Sequence, residues 1–211
     1  MGVLERLFGK GGEESQQTPD ELHAFALKQT GNPEEALRCL TKALGIDPER
    51  PDIWLDKGNV LHILGSDKEA MRCYDRALDI DARFYQAWCN KGNLLFASER
   101  YQEARECYDK ALEIKPADEK AKQGKRDAWY NQANAALRAK RLEEAIEAYD
   151  RALEVDTRFC EAWANKAAAF GGLGRHREAI ESYDAALEIN PSDRLAQEGK
   201  RIAQSFLEGE K

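Results

Sequence analysis

Apolar and small residues recur along this chain at i, i+3, i+4, i+7 and i+8. Ala104, Cys107, Tyr108, Ala111 and Leu112 form one such face, with charged residues between them. That spacing predicts an amphipathic helix. The phrase returns as ALRCLTKAL from Ala36, AMRCYDRAL from Ala70, ARECYDKAL from Ala104, AIEAYDRAL from Ala145 and AIESYDAAL from Ala179. Four of the copies follow a tryptophan by sixteen residues, at Trp54, Trp88, Trp129 and Trp163, and each tryptophan opens another helical pattern such as WCNKGNLL. Gly65 or Gly174, or charged residues in other copies, mark the turn between the two helices. Pro48, Pro116 and Pro191 stop the second helix in three copies. The chain is predicted to be a row of helix-turn-helix pairs. One pair cannot bury its own apolar face, whereas stacked pairs make a continuous core.

Pairs repeating every 34 residues with the order W, G, A, Y, A, P resemble the tetratricopeptide repeat (TPR) family. The resemblance spans residues 17–193, read as repeats at 17–50, 51–84, 85–118, 126–159 and 160–193. The first copy departs most, with Asp20 in place of the tryptophan and Leu40 in place of the tyrosine. The resemblance implies an all-α fold: a right-handed α-solenoid of five helix-turn-helix repeats whose first helices line a concave groove. The NKGN phrase is similar to archaeal and bacterial members, so a prokaryotic origin is expected. The small residues Gly58, Gly92, Ala133 and Ala167 are expected to permit close helix approach, and the tryptophans to fill space between pairs. Cys39, Cys73 and Cys107 occupy one position in successive repeats, where a small apolar side chain is wanted.

The stretch PADEKAKQGKR, Pro116 to Arg126, breaks the spacing, since Trp88 to Trp129 is 41 residues rather than 34. It matches PSDRLAQEGKR near the C-terminus at an offset of 75, which also carries Trp54 to Trp129 and Trp88 to Trp163. Of the 78 residues from 51 to 128, 34 are identical to their counterparts at that offset. The chain therefore reads as a duplicated unit of two repeats plus an extra helical segment. At the C-terminus the segment carries Leu195, Ala196, Gly199, Ile202, Ala203, Phe206 and Leu207 on a helical stripe, as a capping helix would. The internal copy is predicted to run straight into Trp129 as one helix over about 118–139 with Asp118 as N-cap; a module break near Gly124 is the rival reading. The resulting organisation is an N-terminal arm (1–16), repeats one to three (17–118), a helical insertion (119–125), repeats four and five (126–193) and a C-terminal capping helix (194–208). The arm carries Val3, Leu4, Leu7 and Phe8 on one face, followed by a linker-like GKGGEESQQTP.

Composition narrows the functional classes. The chain is 34% charged with a net charge of -7, which argues against general nucleic-acid binding. No apolar run approaches the roughly 18 residues that span a bilayer, and the N-terminus lacks a secretory pattern, so a cytoplasmic protein without stable membrane insertion is expected. Five cysteines without a CxxC pair and three scattered histidines give no metal-ligand spacing, and the metal and cofactor expectation is none. Gly124-Lys125 lacks both the preceding strand and the GxxxxGK[ST] frame of a phosphate loop. There is no GxSxG, no HExxH and no cysteine with a histidine partner, so no catalytic residue is assigned.

The groove is the better candidate. In the TPR frame the groove positions hold Asp56, Asn90, Asn131 and Asn165 at the sixth residue of a repeat, Asn59, Asn93 and Asn134 at the ninth, and Arg138 at the thirteenth. An amide offers donors and an acceptor together and can hold a peptide backbone without dictating its sequence. Some TPR proteins hold the acidic tails of heat-shock chaperones through a clamp of Lys, Asn and Arg. Asn59 and Asn90 match two Asn positions, but Leu55 stands where a Lys is needed, and Asp127 and Asn131 stand where Lys and Arg are needed. Asp52, Asp56, Asp127 and Glu161 make the wall acidic, so EEVD-type tails are not expected to bind. The expected function is a non-enzymatic scaffold that binds a peptide or protein partner in the groove. The alternative is an assembly role through self-association of the solenoid ends or of the arm.

Overall fold

A computed structural model describes residues 17–29 and 31–209; the N-terminal arm lies outside the described residues. Among these residues the secondary structure is helical throughout. The helices are α1 (Pro19–Leu27), α2 (Pro33–Ile46), α3 (Pro51–Ile63), α4 (Asp67–Ile80), α5 (Tyr85–Ala97), α6 (Tyr101–Ile114), α7 (Glu119–Arg138), α8 (Leu142–Val155), α9 (Cys160–Gly172), α10 (His176–Ile189) and α11 (Arg194–Gly209). The chain forms two compact units that meet at Ala82/Arg83, the first holding α1 to α4 and the second α5 to α11. Each unit stacks antiparallel helix pairs in chain order, the architecture of an α-solenoid.

Local chemistry sets the helix ends. Thr18 caps α1 through a capping box with Glu21, and Asn32 accepts the amide of Glu35 at the start of α2. Prolines occupy the first turn of α1, α2 and α3, where their missing N–H does no harm. The turns inside the second, third, fourth and fifth pairs each place one residue in the left-handed region: Gly65, Glu99, Lys140 and Gly174. Where glycine is absent, a charged residue with a Cβ takes the same conformation at some steric cost.

Most apolar stripes meet as their spacing predicts; on α11 only Ala196 and Ala203 of the expected stripe are buried, while Leu195, Ile202 and Phe206 are exposed. In the first unit Leu22, Ala36, Cys39, Leu40, Ala43 and Ile53 form one cluster, and Leu40 and Ile53 are fully buried. In the second unit Ala133, Ala145, Tyr149, Leu153 and Ala162 form another, and Ala169, Phe170, Ala179 and Ala203 continue it toward α11. Alanine at so many buried positions lets helix axes approach closely, so much of the stability comes from dense packing of short side chains. The tryptophans are half-buried rather than enclosed. Arg105 stacks on Trp129 at 3.5 Å, and Trp54 and Trp163 donate their indole N–H to the carbonyls of Pro48 and Thr157.

Helix α7 runs unbroken for 20 residues through Gly124, about 30 Å. Asp118 caps it by accepting the amide of Ala121 at 3.0 Å. It packs against both α6 and α8. The Gly-Lys-Arg triplet is thereby explained one residue at a time. A Cβ at Gly124 would meet the Tyr108 ring at 2.4 Å, so only glycine fits. Lys125 pairs with Asp109 at 2.6 Å. Arg126 bridges Asp127 and Asp156 and lies over the Phe159 ring. The duplication read in the sequence has the same contacts at its second copy: Gly199 sits against Tyr183, and Lys200 pairs with Asp184 at 2.5 Å. The boundary between compact units does not coincide with Gly124.

Candidate functional site

The expected groove residues fall on the first helix of each pair, and the amides among them are not independent groups. In three pairs a buried tyrosine of the second helix donates its hydroxyl to the asparagine at the ninth position. Tyr74 binds Asn59 Oδ1 at 3.0 Å, Tyr108 binds Asn93 Oδ1 at 2.8 Å, and Tyr149 binds Asn134 Oδ1 at 2.5 Å. The spacing of fifteen residues is constant because the turn length is constant. Burial raises the pKa of all three phenols, Tyr74 to about 12, so each remains a donor at neutral pH. The hydrogen bond fixes which end of the amide faces the tyrosine: oxygen inward, NH₂ away.

In the first unit, Asn59 Nδ2 lies 3.4 Å from Asp56, and Asp56 receives His23 Nε2 at 2.7 Å. The other ring nitrogen of His23 lies 3.6 Å from Asp52. Arg50 binds Asp52 and Asp20, and its hydrogen bond to Asp52 holds that carboxyl below the usual carboxylate range. Part of the acidic wall expected from Asp52 and Asp56 is thus occupied: Arg50 pairs with Asp52, and His23 is hydrogen-bonded to Asp56.

In the second unit, Asn134 accepts from Asn165 Nδ2 at 3.1 Å as well as from Tyr149. Asn165 Nδ2 also reaches the Tyr130 hydroxyl at 3.0 Å. The structure therefore links Asn134 and Asn165 in one network with Tyr130 and Tyr149. Asn131 turns its Nδ2 back to the Asp127 carbonyl at 2.9 Å. Asn90 and Asn93 lie on α5, Asn90 half-buried and Asn93 exposed, and Arg138 is exposed in the last turn of α7. The tyrosines were not singled out as site residues in the sequence, although YD at a fixed distance after N was the available signal. His23 and Arg105 were also missed. Arg105 is buried at the position where the neighbouring copies carry Met71, Ile146 and Ile180, and it hydrogen-bonds Gln132.

All five cysteines are thiols, and burial pushes Cys39 and Cys73 above the ordinary value and Cys89 to about 11. Among the described residues no group of His, Cys, Asp and Glu is arranged to hold a metal ion. No described helix is long and apolar enough to cross a membrane.

Stacked helix pairs of constant length, tied by a repeated tyrosine–asparagine bond, define a helical-repeat protein, and comparison identifies which kind. Models of the tetratricopeptide repeat match residues 22–50, 83–158 and 160–193, and a TPR repeat model matches residues 58–98. The chain belongs to the tetratricopeptide repeat family. No curated protein matches it in sequence. Among solved structures it is similar to YrrB, described as a TPR protein with an unusual peptide-binding site (24% identity, TM-score 0.63, 90% of this chain and 95% of that one). It is also similar to the C-terminal part of a TPR repeat-containing protein from Cytophaga hutchinsonii (15% identity, TM-score 0.68, 89% and 75%). A third likeness is to the first TPR domain of Spaghetti bound to the HSP90 peptide SRMEEVD (25% identity, TM-score 0.52, 56% and 94%).

Proposed function

We propose that the second unit binds an extended segment of a partner protein along the helix faces that carry Asn90, Asn93, Asn131, Asn134, Asn165 and Arg138. The observation that carries this reading is the Tyr149–Asn134–Asn165–Tyr130 network. It holds the Asn134 oxygen inward and uses the Asn165 NH₂, so Asn134 offers a donor and Asn165 an acceptor. A peptide backbone presents the complementary pair, C=O and N–H. Because both amides are held before binding, little side-chain entropy is lost when the ligand arrives. This is sequence-tolerant recognition, with Arg138 adding a preference for a nearby acidic group.

YrrB and the Spaghetti domain, by their descriptions, use this fold for peptides, which supports the class of ligand and not its identity. The Spaghetti ligand ends in EEVD; here Asp127 and Asn131 stand where the family's clamp places Lys and Arg. An acidic tail would face the Asp127 carboxylate, so neutral or basic segments fit better. The test is calorimetry with peptides selected from a random display library on the full chain. Asn165→Ala is expected to weaken binding about tenfold, the loss of one or two well-aligned hydrogen bonds. Unchanged affinity in Asn165→Ala, or micromolar binding of an EEVD peptide, would contradict this reading.

A further inference from the structure

The first helix pair leaves apolar positions open that every later pair covers. Leu27 is 56% exposed, while its counterparts Leu61, Leu95, Ala136 and Phe170 are buried. Ile46, at the end of α2, is also 56% exposed, while its counterparts Ile80, Ile114, Val155 and Ile189 are half-buried. In the second pair α2 supplies cover: Ile53 of α3 is fully buried in the cluster that holds Ala43 and Leu44 of α2. The counterpart of Ile53 on α1 is Pro19, half-buried, which lines a hollow of about 550 Å³ with Thr18, Leu22, Lys42 and Ile46. Gln17 completes the lining, so the chain leaves the N-terminal arm at the rim of this hollow. An end pair of a solenoid has one such face to close.

The arm itself has the pattern of the missing cover. Val3, Leu4, Leu7 and Phe8 have the spacing of Cys39, Leu40, Ala43 and Leu44, the buried stripe of α2. They stand only two residues further from α1 than that stripe stands from α3. The linker-like GKGGEESQ between Phe8 and Gln17 spans up to about 29 Å when extended, roughly twice the length of α1. Charge favours the same placement. Arg76, the counterpart of Lys42, pairs at 3.8 Å with Glu49 in the approach to α3. In the approach to α1, Glu14 stands one residue before the counterpart of Glu49. We propose that residues 3–8 dock on the first pair as a short helix antiparallel to α1, in the place that α2 takes against α3. Leu7 and Phe8 then meet Pro19 and Ile46, and Val3 and Leu4 lie one turn nearer Leu27. The arm is an internal cap that closes this face to other copies and partners.

Hydrogen exchange of the full chain, read by mass spectrometry, tests this at α1 and the end of α2. A short tether gives an effective concentration of about 1 mM, so a contact of ~0.1 mM intrinsic affinity is closed about nine-tenths of the time. Leu7→Asp, in the arm, is therefore expected to speed exchange over residues 19–27 and 42–46 about tenfold and to leave α9 and α10 unchanged. Ile46→Lys, on an already exposed residue of the hollow, is expected to give the same acceleration over 19–27. The double substitution is expected to add nothing to either alone, because both break one contact. Protection in the wild type is expected to be the same at low and high protein concentration. Exchange over 19–27 that Leu7→Asp leaves unchanged would overturn the proposal, as would additive effects of Leu7→Asp and Ile46→Lys. Protection that rises with protein concentration would assign the face to a second copy and overturn it as well.

Discussion

Gly124 and Tyr108 share one space: the tyrosine ring lies where any side chain at position 124 would begin, 2.4 Å from an ideal Cβ. The same ring also closes on Gly92, where a Cβ would meet it at 2.8 Å, so Tyr108 sits in a slot between two helices. Alanine in a helix interior usually stabilises by about 1 kcal/mol over glycine. Here the clash outweighs that gain, because overpacking a buried ring costs about 1–3 kcal/mol. Gly124→Ala is expected to lower the urea midpoint. Gly171→Ala, in α9 with nothing within 4 Å of the new methyl, is expected to raise it. Equal effects of the two substitutions would show that the slot is not tight.

The tyrosine–asparagine bond makes a separate prediction. Tyr108→Phe keeps the ring and removes the donor, leaving Asn93 to bind water at the surface. The expected loss is about 0.5–1.5 kcal/mol in chemical denaturation. Asn93→Ala is expected to be worse, since it strands the hydroxyl of a tyrosine that is 2% exposed. The order of the two, Asn93→Ala below Tyr108→Phe, is the outcome to check.

Glu99 and Lys140 hold φ near +59° and +58° at turns where Gly65 and Gly174 serve the other copies. Glycine relieves the left-handed strain of roughly 1–2 kcal/mol and returns part of it as chain entropy. Glu99→Gly and Lys140→Gly are each expected to stabilise by about 0.5–1 kcal/mol, read from the denaturation midpoint.

Asp118 gives a pH test. Its hydrogen bond from the Ala121 amide, the largest cause, holds its carboxyl below the ordinary carboxylate range. A depressed folded pKa means that the stabilising contribution is full above the unfolded value of about 3.9 and is lost as pH falls through the lower folded value. Asp118→Ala is expected to cost about 1 kcal/mol at neutral pH and little at pH below both values. Asp118→Asn retains a cap that does not titrate, so its difference from wild type should narrow or reverse in acid.

Much of the architecture was legible because every pair repeats the same period: the position of each tryptophan, each alanine and each proline implied a helix end or a packed face. The long helix could also be read, since Asp118 supplied a cap and the seven extra residues are close to two turns. The orientation of the amides was not legible. That Asn134 points its oxygen inward depends on Tyr149 fifteen residues away and Asn165 in the next pair, and helical periodicity within a segment carries no information about either. Arg105 was hidden for a related reason. It occupies an apolar position of its own helix, and only the Trp129 ring and Gln132 of the neighbouring helix make it a stable occupant.

The central claim is that the amides of the second unit meet a peptide backbone. Side-chain amide resonances of the full chain, followed by NMR while a library-selected peptide is added, test it most directly. The NH₂ signals of Asn134 and Asn165 are expected to shift together with those of Asn131, while Asn32 and Asn190, which serve helix ends, stay in place. Saturating binding that leaves Asn134 and Asn165 unmoved would contradict the account.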